Sequence, residues 1–222
     1  KENFNHFGGL SDFSFIEGVM GLFDGGVMET GSTADLAQIT GWPTILVVDA
    51  SSQGASVGAL LRGFATHRNA FSPVAVIFNR IGSQRHKKIL REAAESAVPN
   101  MKILGFVPKV DDLNLPERHL GLIQAIEHIN LNNFLDVSAS IVAEHIDIDE
   151  LLKLAQPLKF ADVTQQTPIA PLGQKIAIAK DKAFSFQYQL VFDGWKRNGA
   201  ELSFFSPLDD QSPSEDTDAV YL

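Results

Sequence analysis

The sequence predicts an α/β fold, doubly wound around a mostly parallel sheet. Two observations carry this. Short apolar runs rich in β-branched residues recur at Thr44–Val48, Val74–Phe78 and Lys102–Phe106, as buried parallel strands require. Helical periodicity fills the gaps between them, giving strand, helix, strand, helix, strand.

Each element has its own signal. Phe13-Ser14-Phe15-Ile16 reads as a first short strand ending at Glu17. A Gly-rich loop runs from Gly18 to Gly31. Ser32 or Thr33 can cap a helix that ends near Thr40, stopped by Gly41 and Pro43. Thr44–Val48 follows as a strand buried on both faces, ending in Asp49. Val57, Leu60, Leu61 and Phe64 then line one face of a helix. Val74–Phe78 ends in Asn79. Ile89, Leu90, Ala93, Ala94 and Ala97 mark the next helix, and Lys102–Phe106 leads to Pro108. Residues 121–155 are helical in pattern, with Leu122, Ile123, Ala125, Ile126 and Ile129 on one face and Asp149–Leu154 as a short capped helix.

Pro157, Pro168 and Pro171 mark residues 156–173 as a linker. A fresh start follows: strand Lys175–Ala179, helix Phe186–Arg197, Gly199 as its cap, and strand Leu202–Phe205. At roughly 150 residues per domain, 222 residues make one large domain or two smaller ones. The reading is one domain over 1–155 and the beginning of another over 174–222.

Composition narrows the function classes. A net charge of -9 argues against a global nucleic-acid-binding surface. Without Cys there is no disulfide, thiolate zinc site or Cys nucleophile in these residues. No run of about 18 apolar residues occurs, so no membrane helix is expected. Neither an initiator Met nor a signal peptide opens the chain, which suggests a fragment of a cytoplasmic protein.

Ligands of open α/β sheets sit outside the carboxyl ends of the strands. The residues there are Glu17, Asp49, Asn79 and Pro108. Glu17 and Asp24 flank Gly18, Gly21, Gly25 and Gly26, and such carboxylates suit Mg²⁺ with phosphate oxygens. A glycine turn with solvated acids explains the same residues. Asp49 reads as a metal-linked acid or as a turn cap. Asn79 offers a donor and an acceptor to a base edge, or forms a turn. Arg80, Arg85, His86, Lys87, Lys88, Arg91, Arg118 and His119 concentrate positive charge that could bind carboxylate or phosphate. A solvated helix face is the plainer reading for Lys87, Lys88 and Arg91. No G-x-x-x-x-G-K-[ST] phosphate cradle occurs.

Several stretches together resemble the cobyrinic acid a,c-diamide synthase family. They are Glu17–Gly25, Gly31–Ala37, Val47–Ala50, Asn79–Ser83 with Arg85-His86, and Pro116–Leu122. Asp181–Phe186, Gly199–Glu201 and Phe205–Leu208 resemble the start of that family's glutaminase domain. Gln187 departs from an aromatic residue expected there. The hydrogenobyrinate and nickel-sirohydrochlorin synthases share these motifs, so their substrates are alternatives.

The resemblance implies a P-loop-type synthetase domain over 1–155, with its P-loop upstream of Lys1. The glutaminase Cys and His would lie downstream of Leu222. It implies an ATP- and Mg²⁺-dependent ligase that amidates corrinoid carboxylates through an acyl phosphate, with glutamine as ammonia source. Glu17 and Asp24 are then the metal and reaction-centre carboxylates. Asp49, Asn79 and Pro108 border the nucleotide, with Asn79 on adenine. Gly31, Ser32, Thr33, Arg118 and His119 face the corrinoid. The expected partners are a corrinoid and glutamine, with neither nucleic acid nor membrane, and a homodimer is admitted. The 222 residues alone are expected to be inactive. The competing reading is a truncated, non-catalytic P-loop-type binding protein.

Overall fold

A computed structural model describes residues 12–26, 30–110, 113, 125, 130–157 and 169–222. The chain divides into two compact units, Phe13–Lys159 and one built on Phe160–Leu222. Both carry parallel sheets flanked by helices, which is the α/β class.

The first unit runs α1 (Thr33–Thr40), β1 (Ile45–Asp49), α2 (Val57–Thr66), β2 (Ala75–Ile81), α3 (Gln84–Ala97), β3 (Lys102–Pro108), α4 (Leu131–His145) and α5 (Ile148–Lys153). The sheet order is β1-β2-β3, all parallel. Ile45 to Asp49 stand opposite Ala75 to Asn79 residue for residue, so β1 ends beside Asn79, two residues before β2 does. Val57, Leu61, Val76, Phe78 and Leu90 are fully buried between the sheet and α2 and α3. Phe78 stacks on Phe106 at 5.2 Å. β3 is tied to the C-terminal helices at Gly105, which bridges to Ile146, and through an ion pair from Lys102 to Glu150.

In the second unit, β4 (Lys175–Ala179) lies between β5 (Glu201–Phe205) and β6 (Ala219–Tyr221), all parallel. Helix α6 (Gln189–Arg197) buries Phe192 and Trp195 against Ile176, Ile178 and Tyr221. Asp181 joins the loops after β4 and β5: its carboxylate accepts from the N–H groups of Ala183, Phe184 and Leu208 and from Ser206 Oγ.

The structure corrects several expectations. Phe13–Ile16 forms no strand; it has no ladder partner among the described residues, and Phe15 is 71% exposed. β1 is buried on one face only, because Val47 stands exposed opposite Leu46 and Val48. β2 does not end at Asn79 but continues to Ile81 through a register irregularity. The short helix after Ile146 is capped by Asp147, whose side chain accepts from Glu150 N–H. α6 starts at Gln189 rather than Phe186, because Gln187 Nε2 donates back to Ala179 O and Phe184 O and holds a turn there. β6 was not anticipated, being three residues with no alternating pattern. Of the apolar positions read for 121–129, only Ala125 is among the described residues.

Candidate functional site

The register of β1 on β2 brings Asp49 and Asn79 side by side. Ala50 N–H donates to Asn79 O at 2.9 Å and secures that pairing past the strand end. Asp49 Oδ1 accepts from Ser51 N–H at 2.9 Å, the short loop bond typical of an Asp that opens a turn. Its Oδ2 takes Arg80 Nη1 at 3.0 Å. The Ser51 N–H, then the Ser51 hydroxyl and the Arg80 charge, hold the Asp49 carboxyl below the ordinary carboxylate value. Arg80 has φ 61°, left-handed backbone that non-glycine residues seldom adopt. In that conformation Arg80 N–H donates to Asn79 Oδ1 at 2.9 Å. Pro108 closes β3 opposite Ile81.

A second group is the glycine loop packed on α1. Leu22 O accepts from Ala34 N–H at 2.9 Å, and Leu22 is buried in the core. Ser32 caps α1 in a reciprocal box with Asp35 and is only 3% exposed. Its hydroxyl is engaged by Asp35 and by Arg68, so it shapes the loop. Arg68 Nη1 pairs with Asp35 at 2.6 Å, and its guanidinium lies over the Phe23 ring at 5.4 Å. Gly18 runs against Thr33: a Cβ there would stand 2.7 Å from Thr33 Oγ1. Gly21 runs closer still to the Asp24 carboxylate. Gly31 has φ 83°, where glycine is favoured. Glu17 and Asp24 are exposed, and among the described residues no hydrogen bond or ion pair engages either carboxylate.

Arg118 and His119 lie outside the described residues. On α3, Lys88 and Arg91 pair with Glu92 and Glu95 one turn on, while Lys87 and Arg91 lie over Phe106. They form the solvated face of an amphipathic helix. The sequence reading placed Arg80 only within the basic cluster and gave Arg68 no role. The first is set by an unusual backbone angle and the second by a contact across the fold, and neither leaves a local signal.

A family model described as an AAA domain matches residues 9–117. The parallel sheet of the first unit makes it an α/β domain, consistent with that match. Over nearly its whole length the chain is similar to a,c-diamide synthases. It is 47% identical over 208 residues to the hydrogenobyrinate a,c-diamide synthase of Brucella ovis, which covers 93% of this chain and 47% of that protein. The enzymes of the same name from Rhizobium meliloti and Mesorhizobium japonicum are 44% and 41% identical, over 93% and 96% of this chain and 47% and 48% of theirs. The chain therefore spans about half the length of the curated relatives it matches. No solved structure matches it significantly. Among the described residues, no helix is long and apolar enough to cross a membrane.

Proposed function

We propose that this chain is part of a cytoplasmic, glutamine-using ligase that amidates the a and c side-chain carboxylates of a corrinoid acid in cobalamin biosynthesis. The observation that carries it is the 41–47% identity, over nearly the whole chain, to proteins named hydrogenobyrinate a,c-diamide synthase. Those names favour hydrogenobyrinate over cobyrinate and nickel-sirohydrochlorin.

A carboxylate is a poor acyl donor. Its oxygen attacks the γ-phosphorus of ATP and ADP leaves. Ammonia then attacks the acyl phosphate carbon, and phosphate leaves with the amide formed. Mg²⁺ takes one or two carboxylates beside phosphate oxygens, and Glu17 and Asp24, exposed and unengaged among the described residues, fit that donor set. When bound it offsets charge on the transferring phosphoryl group. Asp49, Asn79 and Pro108 border the nucleotide. Gly31, Thr33 and the segment with Arg118 and His119 face the corrinoid, with Ser32 holding that loop in shape. The second unit is read as the start of the glutaminase domain.

The test is an amidation assay on the full-length protein with hydrogenobyrinate, Mg²⁺-ATP and glutamine, following mono- and diamide by mass. Glu17→Gln and Asp24→Asn should each slow product formation by about 100-fold. Wild-type protein that hydrolyses no ATP and forms no amide would refute the reading. A binding titration on the 222 residues alone should show weak ATP affinity, since they carry no phosphate cradle.

A further inference from the structure

His86 lies in the first turn of α3, where its N–H donates to the Ser83 cap at 3.1 Å. Its ring meets backbone on two sides. Gly82 N–H donates to Nδ1 at 3.2 Å. Nε2 stands 2.8 Å from Gln53 O. A ring nitrogen that accepts an N–H carries no proton, so the proton sits on Nε2 and is donated to the Gln53 carbonyl. The ring is thus neutral and restricted to one tautomer. Gln53 lies in the loop leaving β1, just past Asp49; Gly82 lies in the loop leaving β2, just past Asn79 and Arg80. One imidazole therefore spans both loops at the edge where the ligand is expected.

We infer that His86 is a positioning residue: as the Nε2–H tautomer it latches the loop after β1 to the loop after β2 and keeps Asp49 and Asn79 aligned for their ligand. The latch stands on its geometry; its role in turnover rests on the proposed reaction. Both ring nitrogens are committed, so His86 neither contacts the substrate anion nor moves a proton. The Asp49–Arg80 bond clamps the same two strands at a separate point, so losing the latch loosens the site without dismantling the sheet.

The ring is read directly by long-range proton–nitrogen spectra of the ¹⁵N-labelled 222-residue chain. Expected are an unprotonated Nδ1 and a protonated Nε2 on His86. The Gly82 amide should exchange about tenfold faster in His86→Ala. His86→Gln carries one acceptor and one donor at comparable spacing and should restore most of that protection. In the full-length protein, His86→Ala should raise the KM for ATP about tenfold with kcat little changed, and His86→Gln should recover it. A ring protonated on Nδ1, or one averaging between tautomers, overturns the latch. So does Gly82 exchange unchanged in the alanine variant. An intact latch with an unchanged KM overturns the positioning role. If His86→Ala does not fold, the wild-type ring spectrum and the glutamine variant still decide. If wild-type protein forms no amide, the proposed reaction fails while the ring spectrum decides the latch by itself.

Discussion

Asp49 and Arg80 are joined across the ends of two parallel strands, with Arg80 Nη1 at 3.0 Å from Asp49 Oδ2. The bond coincides with the left-handed backbone at Arg80, so the same residue that reaches Asp49 also orients the Asn79 amide.

Arg80→Gly separates these roles. A left-handed non-glycine residue costs about 1–2 kcal/mol, and an exposed ion pair is worth about 0–1 kcal/mol. Glycine removes both and adds about 0.5–1 kcal/mol of unfolded-chain freedom, so stability in urea should lie between about 1 kcal/mol below and about 1.5 kcal/mol above wild type. A loss above about 2 kcal/mol would show that the guanidinium supports the fold.

Acid should weaken the first unit through Asp35. The Arg68 hydrogen bond, then the N–H and hydroxyl of Ser32, draw its carboxyl from 3.8 to about 2. A carboxyl that is more acidic in the folded state stabilises it above the unfolded value. That contribution is lost as pH falls from 3.8 towards about 2. Melting curves across this window should show a smaller fall in Tm for Asp35→Asn than for wild type. Asp216, drawn to about 2 by Lys175 and Ser214, should give the second unit a fall in the same window.

Gly105→Ala should destabilise the contact between β3 and the end of α4. A Cβ there runs into His145 O and stands 2.9 Å from Ile146 Cα, both backbone atoms with little room to move. Overpacking of this kind costs about 1–3 kcal/mol. Chemical denaturation checks the size, and unchanged stability would mean that α4 is free to shift.

Asp181→Ala should release the loops after β4 and β5. Partial desolvation pulls its carboxyl up, but the N–H groups of Leu208, Ala183 and Phe184 and the Ser206 hydroxyl outweigh it and keep it acidic. Hydrogen exchange at those three amides should rise in the variant while the Ile176 and Ile178 amides in β4 stay protected. Uniform acceleration would instead mean that the whole unit unfolds.

The sequence by itself determined the strand and helix order around Asp49, Asn79 and Pro108. Apolar period and cap residues are local, and Ser32 and Gly41 act on the ends of their own helix. The motifs likewise marked the a,c-diamide synthase family, because the order of residues along a chain survives without any knowledge of contacts. The tertiary structure alone decided which face of β1 is covered, that Phe13–Ile16 stays unpaired, and that Arg68 reaches Asp35 while His86 turns inward to Gln53 and Gly82. Those outcomes depend on partners far along the chain. A hydrogen bond at 3 Å is set by how elements pack, and no spacing within either segment encodes it.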